Sequence, residues 1–77
     1  MPTVFIKNGI RFFFYSNEHR PIHVHARKGG GEAVFEVEGE VVLRESVGLK
    51  TSELQDAEDL AIEHRQLIIQ AWHEHIG

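Results

Sequence analysis

Cysteine is absent from these 77 residues, which removes disulfides and cysteine-ligated zinc and fits a reducing, cytosolic compartment. No long apolar run is present, and Met1-Pro2-Thr3-Val4-Phe5 leads straight into strand-like sequence without a basic stretch before it. Neither a signal peptide nor a membrane span is therefore expected, and the expectation is a soluble cytoplasmic protein with no membrane partner. Positive charge is also scarce. The net charge of -4 argues against generic nucleic-acid binding by the whole molecule. No repeat, low-complexity tract or domain boundary breaks the chain. Its length allows one small domain with a modest core, a size at which dimerisation or a bound partner adds needed stability.

The net charge conceals a division. Residues 1–31 hold five basic side chains (Lys7, Arg11, Arg20, Arg27, Lys28) against Glu18 alone, net +4, with three histidines in addition. Residues 32–77 hold three basic side chains against eleven acidic ones, net -8. Two readings follow. The halves neutralise one another across the fold, or the basic half is a patch for a phosphate-bearing or acidic partner.

Alternation organises the first half. Thr3 to Lys7 alternates β-branched and aromatic residues, and Asn8-Gly9 follows at once, the pair that best supplies the two positive φ angles of a type I′ hairpin. Ile10 to Tyr15 forms the second strand, apolar on both faces and so covered on both, or else used as a homodimer interface. Ser16 to Arg20 reads as a polar loop, and Pro21 suits the entry to a third strand running from Ile22 to about Lys28. Gly29-Gly30-Gly31 reads better as a flexible turn than as a phosphate cradle, since no Lys-Ser/Thr and no helix follows. Glu32–Val37 and Val41–Leu43 alternate again, giving four or five strands in meander order over residues 1–45.

A linker over 46–51 precedes one long helix over 52–76, with Ser52 as its N-cap and Gln55 three residues on. Leu54, Ala57, Leu60, Ala61, His64, Leu67, Ile68, Ala71 and Trp72 mark one face of it at helical spacing. The predicted architecture is α+β: a single domain in which an antiparallel meander sheet carries one helix on one face. Periodicity favours the Ile22 and Val24 side for that helix without fixing which face it covers. Trp72 is then a core anchor.

The candidate site is Pro21-Ile22-His23-Val24-His25. On a strand His23, His25 and Arg27 share one face, opposite Ile22, Val24 and Ala26. Two imidazoles about 7 Å apart at Cα can share a divalent transition metal, with Glu32, Glu36 or a helix histidine completing the set, although no cofactor is required by the pattern. They can also act as a general acid and base. Arg11, Phe13, Arg27, Lys28 and Tyr15 nearby would suit RNA, with arginine on phosphate and aromatics on bases. A structural or partner-binding role for the histidines stays open. His64 lies on the apolar stripe of the helix and meets His23 and His25 only if the helix covers their face.

Taken together, Met1-Pro2-Thr3-Val4, Arg11–Glu18, Pro21–His25, Gly30–Ala33, Glu63-His64-Arg65 and Ala71-Trp72-His73 resemble a family of small prokaryotic proteins catalogued as domain of unknown function 4160. Ile22 stands where that family commonly has another proline, and the fourth strand lacks its aromatic-aliphatic-proline variant. The resemblance implies a component of a toxin-antitoxin-like pair, binding a small protein partner encoded nearby and extending to RNA as a target. It also implies a site of His23, His25, Arg11, Tyr15, Glu18 and His64. The competing expectation is an enzyme, a ribonuclease or metal-dependent hydrolase using His23 and His25.

Overall fold

The computed structural model describes residues 2–77; Met1, the first residue of the family-like opening run, lies outside the described residues. Five strands follow one another, β1 (Thr3–Lys7), β2 (Ile10–Phe13), β3 (His23–Lys28), β4 (Gly31–Glu36) and β5 (Val42–Val47), and two helices close the chain, α1 (Thr51–Glu63) and α2 (Arg65–His75). The sheet is antiparallel throughout and its spatial order is the chain order. Turn chemistry explains the tight connections. Asn8 and Gly9 take φ of 55° and 75°, as the type I′ turn requires. Gly29 (φ 58°) opens the next turn. Gly31 serves a different purpose from the expected looseness: a Cβ there would stand 2.5 Å from the Gly48 carbonyl oxygen, so glycine lets the end of β5 close onto β4.

Both helices pack on one face of the sheet. Ile10 and Phe12 of β2 with Phe14 just after it, Val24 and Ala26 of β3 with Ile22 just before it, and Ala33 and Phe35 of β4 with Val37 just after it meet Ala57, Leu60 and Ala61 of α1 and Ile68, Ala71 and Trp72 of α2. Trp72 is fully buried, with its ring edge-on to Phe14 at 5.5 Å. The predicted covering of the Ile22 and Val24 side is what the fold shows. β2 lies inside the sheet between β1 and β3, with Phe12 and Phe13 both fully buried. The two apolar faces of that strand are thus covered within the chain.

The single long helix is corrected to two. Its apolar spacing runs on unbroken from Ala57 to Trp72, but His64 leaves helical geometry at φ -105°, ψ 21°. The bend sits where two neighbours engage it. The Phe5 ring packs against the His64 ring at 4.6 Å. Arg65 is drawn to the β4–β5 connection, its Nε donating to the Val37 and Gly39 carbonyls (both 2.8 Å) and an Nη to the Glu38 carbonyl (2.7 Å). The N-cap also moves. It is Lys50 rather than Ser52, and the Glu53 carboxylate accepts the Lys50 N–H at 2.9 Å, so the linker shrinks to 48–50 while Gln55 turns to Asp59. No helix among the described residues is long and apolar enough to cross a membrane.

The two oppositely charged halves meet. Lys7–Glu63 (3.8 Å), Arg20–Glu38 (2.9 Å), Arg27–Glu32 (3.2 Å) and Lys28–Glu53 (3.9 Å) each join a basic residue of the first half to an acidic residue of the second. These exposed pairs contribute little to stability one by one. The Arg65 bonds are different, because a planar guanidinium reaches three carbonyls that an ammonium cannot reach together. Arg65→Lys should lose about 1–2 kcal/mol, a fall in Tm of roughly 4–16 °C for a domain of this size. Thermal denaturation followed by circular dichroism measures it. An unchanged Tm would show that the bend does not depend on Arg65.

Candidate functional site

Strand alternation brings His23 and His25 to the sheet face opposite the helices, and the β2–β3 loop then folds back over them. Tyr15 N–H donates to Glu18 Oε1 at 3.1 Å, which turns the Glu18 side chain inward. At the far end of the loop, Arg20 and the Ile22 N–H both donate to Glu38 Oε1, at 2.9 and 3.2 Å. The loop thus becomes a lid of fixed shape. Under it the side chains of Glu18, His23 and His25 are only 8%, 7% and 11% exposed. Phe13 stacks on the His25 ring (5.4 Å, 25°), Tyr15 meets it edge-on (4.5 Å, 77°), and Trp72 reaches His23 from α2 (5.3 Å).

The hydrogen-bond roles at this cluster are constrained. His23 Nδ1 lies 2.8 Å from the Pro21 carbonyl oxygen, which can only accept, so Nδ1–H donates. His23 Nε2 then faces Glu18 Oε2. His25 Nε2 faces Glu18 Oε1 at 2.8 Å, and its Nδ1 faces Glu32 Oε2 at 3.3 Å. All four ring nitrogens therefore meet oxygen acceptors, whereas a neutral imidazole has one N–H to give. Either both rings carry two protons, or a cation stands in for the two Nε2 protons while Nδ1–H continues to donate outward. The outward bonds to a backbone carbonyl and a carboxylate are those that orient histidines ligating metal. One donor atom each from Glu18, His23 and His25 lies within 4.8 Å of the others. Three donors this close would hold one divalent ion after modest side-chain movement, at ligand distances of about 2.0–2.2 Å.

The Glu18 carboxyl feels opposing effects. Burial pushes its pKa up, but the hydrogen bond from His25, the Tyr15 N–H and the charges of His23 and His25 outweigh burial and hold it below the ordinary carboxylate range. The ionised form is the one the site keeps.

The structure places the remaining predicted residues unevenly. Arg11 stands over the Phe13 ring at 4.7 Å, donates to Thr3 Oγ1 at 3.0 Å and sits opposite Arg27 across the β2–β3 ladder. Of the five basic residues of the first half it alone, among the described residues, has no acidic partner. Tyr15 remains partly exposed beside His25. Phe13 is closed off between Arg11 and His25 and has no face left for a base. Lys28 turns to the helix side toward Glu53, away from Arg11 and Arg27. His64 packs on Phe5 behind the sheet and does not join His23 and His25, as the side covered by the helices requires. Glu32 joins the cluster, and Glu36 pairs instead with Arg44 at 3.9 Å. Glu18 is the residue that strand periodicity misses, since it belongs to a loop; its one local signal is the spacing Glu-x4-His-x-His.

The sequence pattern of the family described as Domain of unknown function (DUF4160) matches residues 9–73. No curated protein and no solved structure matches the chain.

A group whose folded pKa is depressed stabilises the fold above its unfolded pKa, and that contribution fades as pH falls through the folded value. In the presence of a chelator, the wild type should lose the Glu18 contribution as pH drops below the ordinary carboxylate range. Glu18→Gln should be less stable by about 1–3 kcal/mol at neutral pH, with a flatter acid limb. Urea denaturation at a series of pH values reads this directly, and parallel curves for the two proteins would mean that Glu18 contributes nothing through its charge.

Proposed function

The chain belongs to the DUF4160 family, whose description assigns no activity, and we propose that the protein is a metal-dependent hydrolase centred on His23, His25 and Glu18. One observation carries this reading: the two Nε2 atoms converge on a single carboxylate while both Nδ1 atoms face outward acceptors, Pro21 and Glu32. Two histidines and a carboxylate suit a divalent transition ion such as zinc, iron or manganese, with positions left for water and substrate. Such an ion supplies a polarised water at neutral pH and a Lewis acid for the bond to be broken. The protein's own groups do the rest. Glu32 orients His25, the Pro21 carbonyl orients His23, and Phe13 and Trp72 keep bulk water off the rings. Arg11 and Arg27, two register positions from the Phe13–His25 pair, favour an anionic substrate, and a phosphodiester such as RNA is the class this reading takes.

A second reading, a toxin-antitoxin-like component that holds a small protein partner, is favoured by the sheet face that carries the site. Among the described residues no helix covers it, and Ile6 and Val47 there are 66% and 74% exposed. The two readings are compatible, because a partner on that face would also cap the centre.

Metal binding is the deciding test. The purified protein, stripped with chelator and titrated with Zn²⁺, Mn²⁺ or Co²⁺ by calorimetry, should bind about one equivalent, the number of centres that one trio can form. His23→Ala and His25→Ala should abolish stoichiometric binding, and Glu32→Gln should weaken it about 10–100-fold, with circular dichroism confirming the fold. Cleavage of single-stranded RNA should follow metal occupancy through the same series. A folded wild type that takes up none of these ions would overturn the proposal.

A further inference from the structure

We propose that β5 is the pairing edge of a symmetric homodimer in which two copies join into one continuous ten-stranded sheet. The strand ends the sheet, and all six residues Val42–Val47 are exposed, with Val42, Leu43 and Val47 at 53%, 38% and 74%. An uncovered strand edge presents unpaired backbone donors and acceptors and templates a further strand. What selects a second copy of this chain is the order of the six side chains. Paired antiparallel about a two-fold axis between residues 44 and 45, Val42 stands opposite Val47 of the other copy, Leu43 opposite Ser46, and Arg44 opposite Glu45. Each of these pairs occurs twice. Charge is complementary at the centre and apolar contact lies at both ends.

The bulge in β5 makes this register workable. In a regular strand, residues 42 and 47 lie on opposite faces of the sheet, and a two-fold perpendicular to the sheet would then mismatch them. Here Phe35 pairs with Leu43 and Val34 with Glu45, so Arg44 is the extra residue of a bulge. Val42, opposite Glu36, and Val47, opposite Glu32, are thereby brought to the same face, that of His23 and His25. Leu43 and Ser46 share the helix face, opposite Phe35 and Ala33. A bulge commonly disfavours edge pairing; two identical bulged strands, six residues against six, need no further irregularity to match. Among the described residues, Arg44 has one acidic neighbour in its own chain, Glu36 of β4, at a loose 3.9 Å.

Charge reversal tests the register as well as the association. Sedimentation equilibrium from about 10 µM to about 1 mM should show the wild type in monomer–dimer exchange. Arg44→Glu and Glu45→Arg should each weaken the dimer about tenfold, since each places two like-charge pairs across the junction. The double variant Arg44→Glu/Glu45→Arg should regain wild-type affinity. Both residues changed are exposed, and circular dichroism confirms that each protein folds. A wild type that stays monomeric throughout the range would overturn the proposal, and so would a dimer indifferent to the single reversals or not rescued by the double one. Metal occupancy of the His23 centre does not enter the readout, so this result and the metal titration fail independently.

Discussion

One carboxylate shared by two imidazoles sets the terms for the rest of this molecule. Glu18 comes from a loop, His23 and His25 come from a strand, and the group that joins them is nearly shut off from water. Burying ionisable groups costs several kcal/mol each unless every polar atom is matched. The chain matches them outward, through the Pro21 carbonyl and Glu32, and inward, through Glu18. The inward side carries more acceptors than neutral rings have protons. That imbalance is the physical reason to expect a cation between the rings, and it gives the convergence of three donors a chemical meaning that proximity alone would lack.

The fold is arranged so that this cluster and the core do not compete. Alternation from Ile22 into β3 sends Ile22, Val24 and Ala26 to the helices and His23 and His25 to the other face. Apolar burial on the helix side supplies the stability, at about 1.5–3 kcal/mol for each large side chain fully buried. The site side keeps only a thin cover of Phe13, Tyr15 and the β2–β3 loop. Trp72 links the two, packing on Phe14 in the core and reaching the His23 ring at the rim of the sheet. The Glu38 carboxylate holds the loop from one side while its backbone carbonyl receives Arg65 from the other. The helix bend and the lid over the site are thus tied to the same short connection.

Much of this was legible in the sequence. Asn8-Gly9 marks its hairpin because few other residues tolerate two positive φ angles, and the alternation at residues 22–27 assigns each side chain to a face. The helix break was hidden for a definite reason: apolar spacing from Ala57 to Trp72 continues through His64, and the bend answers to Phe5 and to carbonyls that folding brings near Arg65. The N-cap was misplaced because Ser52 has the better capping side chain, whereas the helix starts after Lys50 by way of a backbone N–H held by Glu53. The bulge at Arg44 is a relation between two strands and leaves no trace in β5 alone. Glu18 shows the same limit. Its partners are set by how the loop closes, and periodicity does not reach loops. The basic and acidic halves were legible as such, but not their use: four of the five basic residues of the first half end on acids of the second.

The most direct measurement of the central claim is the ¹⁵N NMR spectrum of the histidine side chains, recorded with and without one equivalent of Zn²⁺. The account predicts that His23 and His25 both keep a protonated Nδ1 while both Nε2 resonances move to metal-bound positions. The other four histidines should be unaffected. If zinc leaves both Nε2 resonances in place, or binds through Nδ1, then the carboxylate between the rings is a proton-mediated contact and the metal centre is wrong.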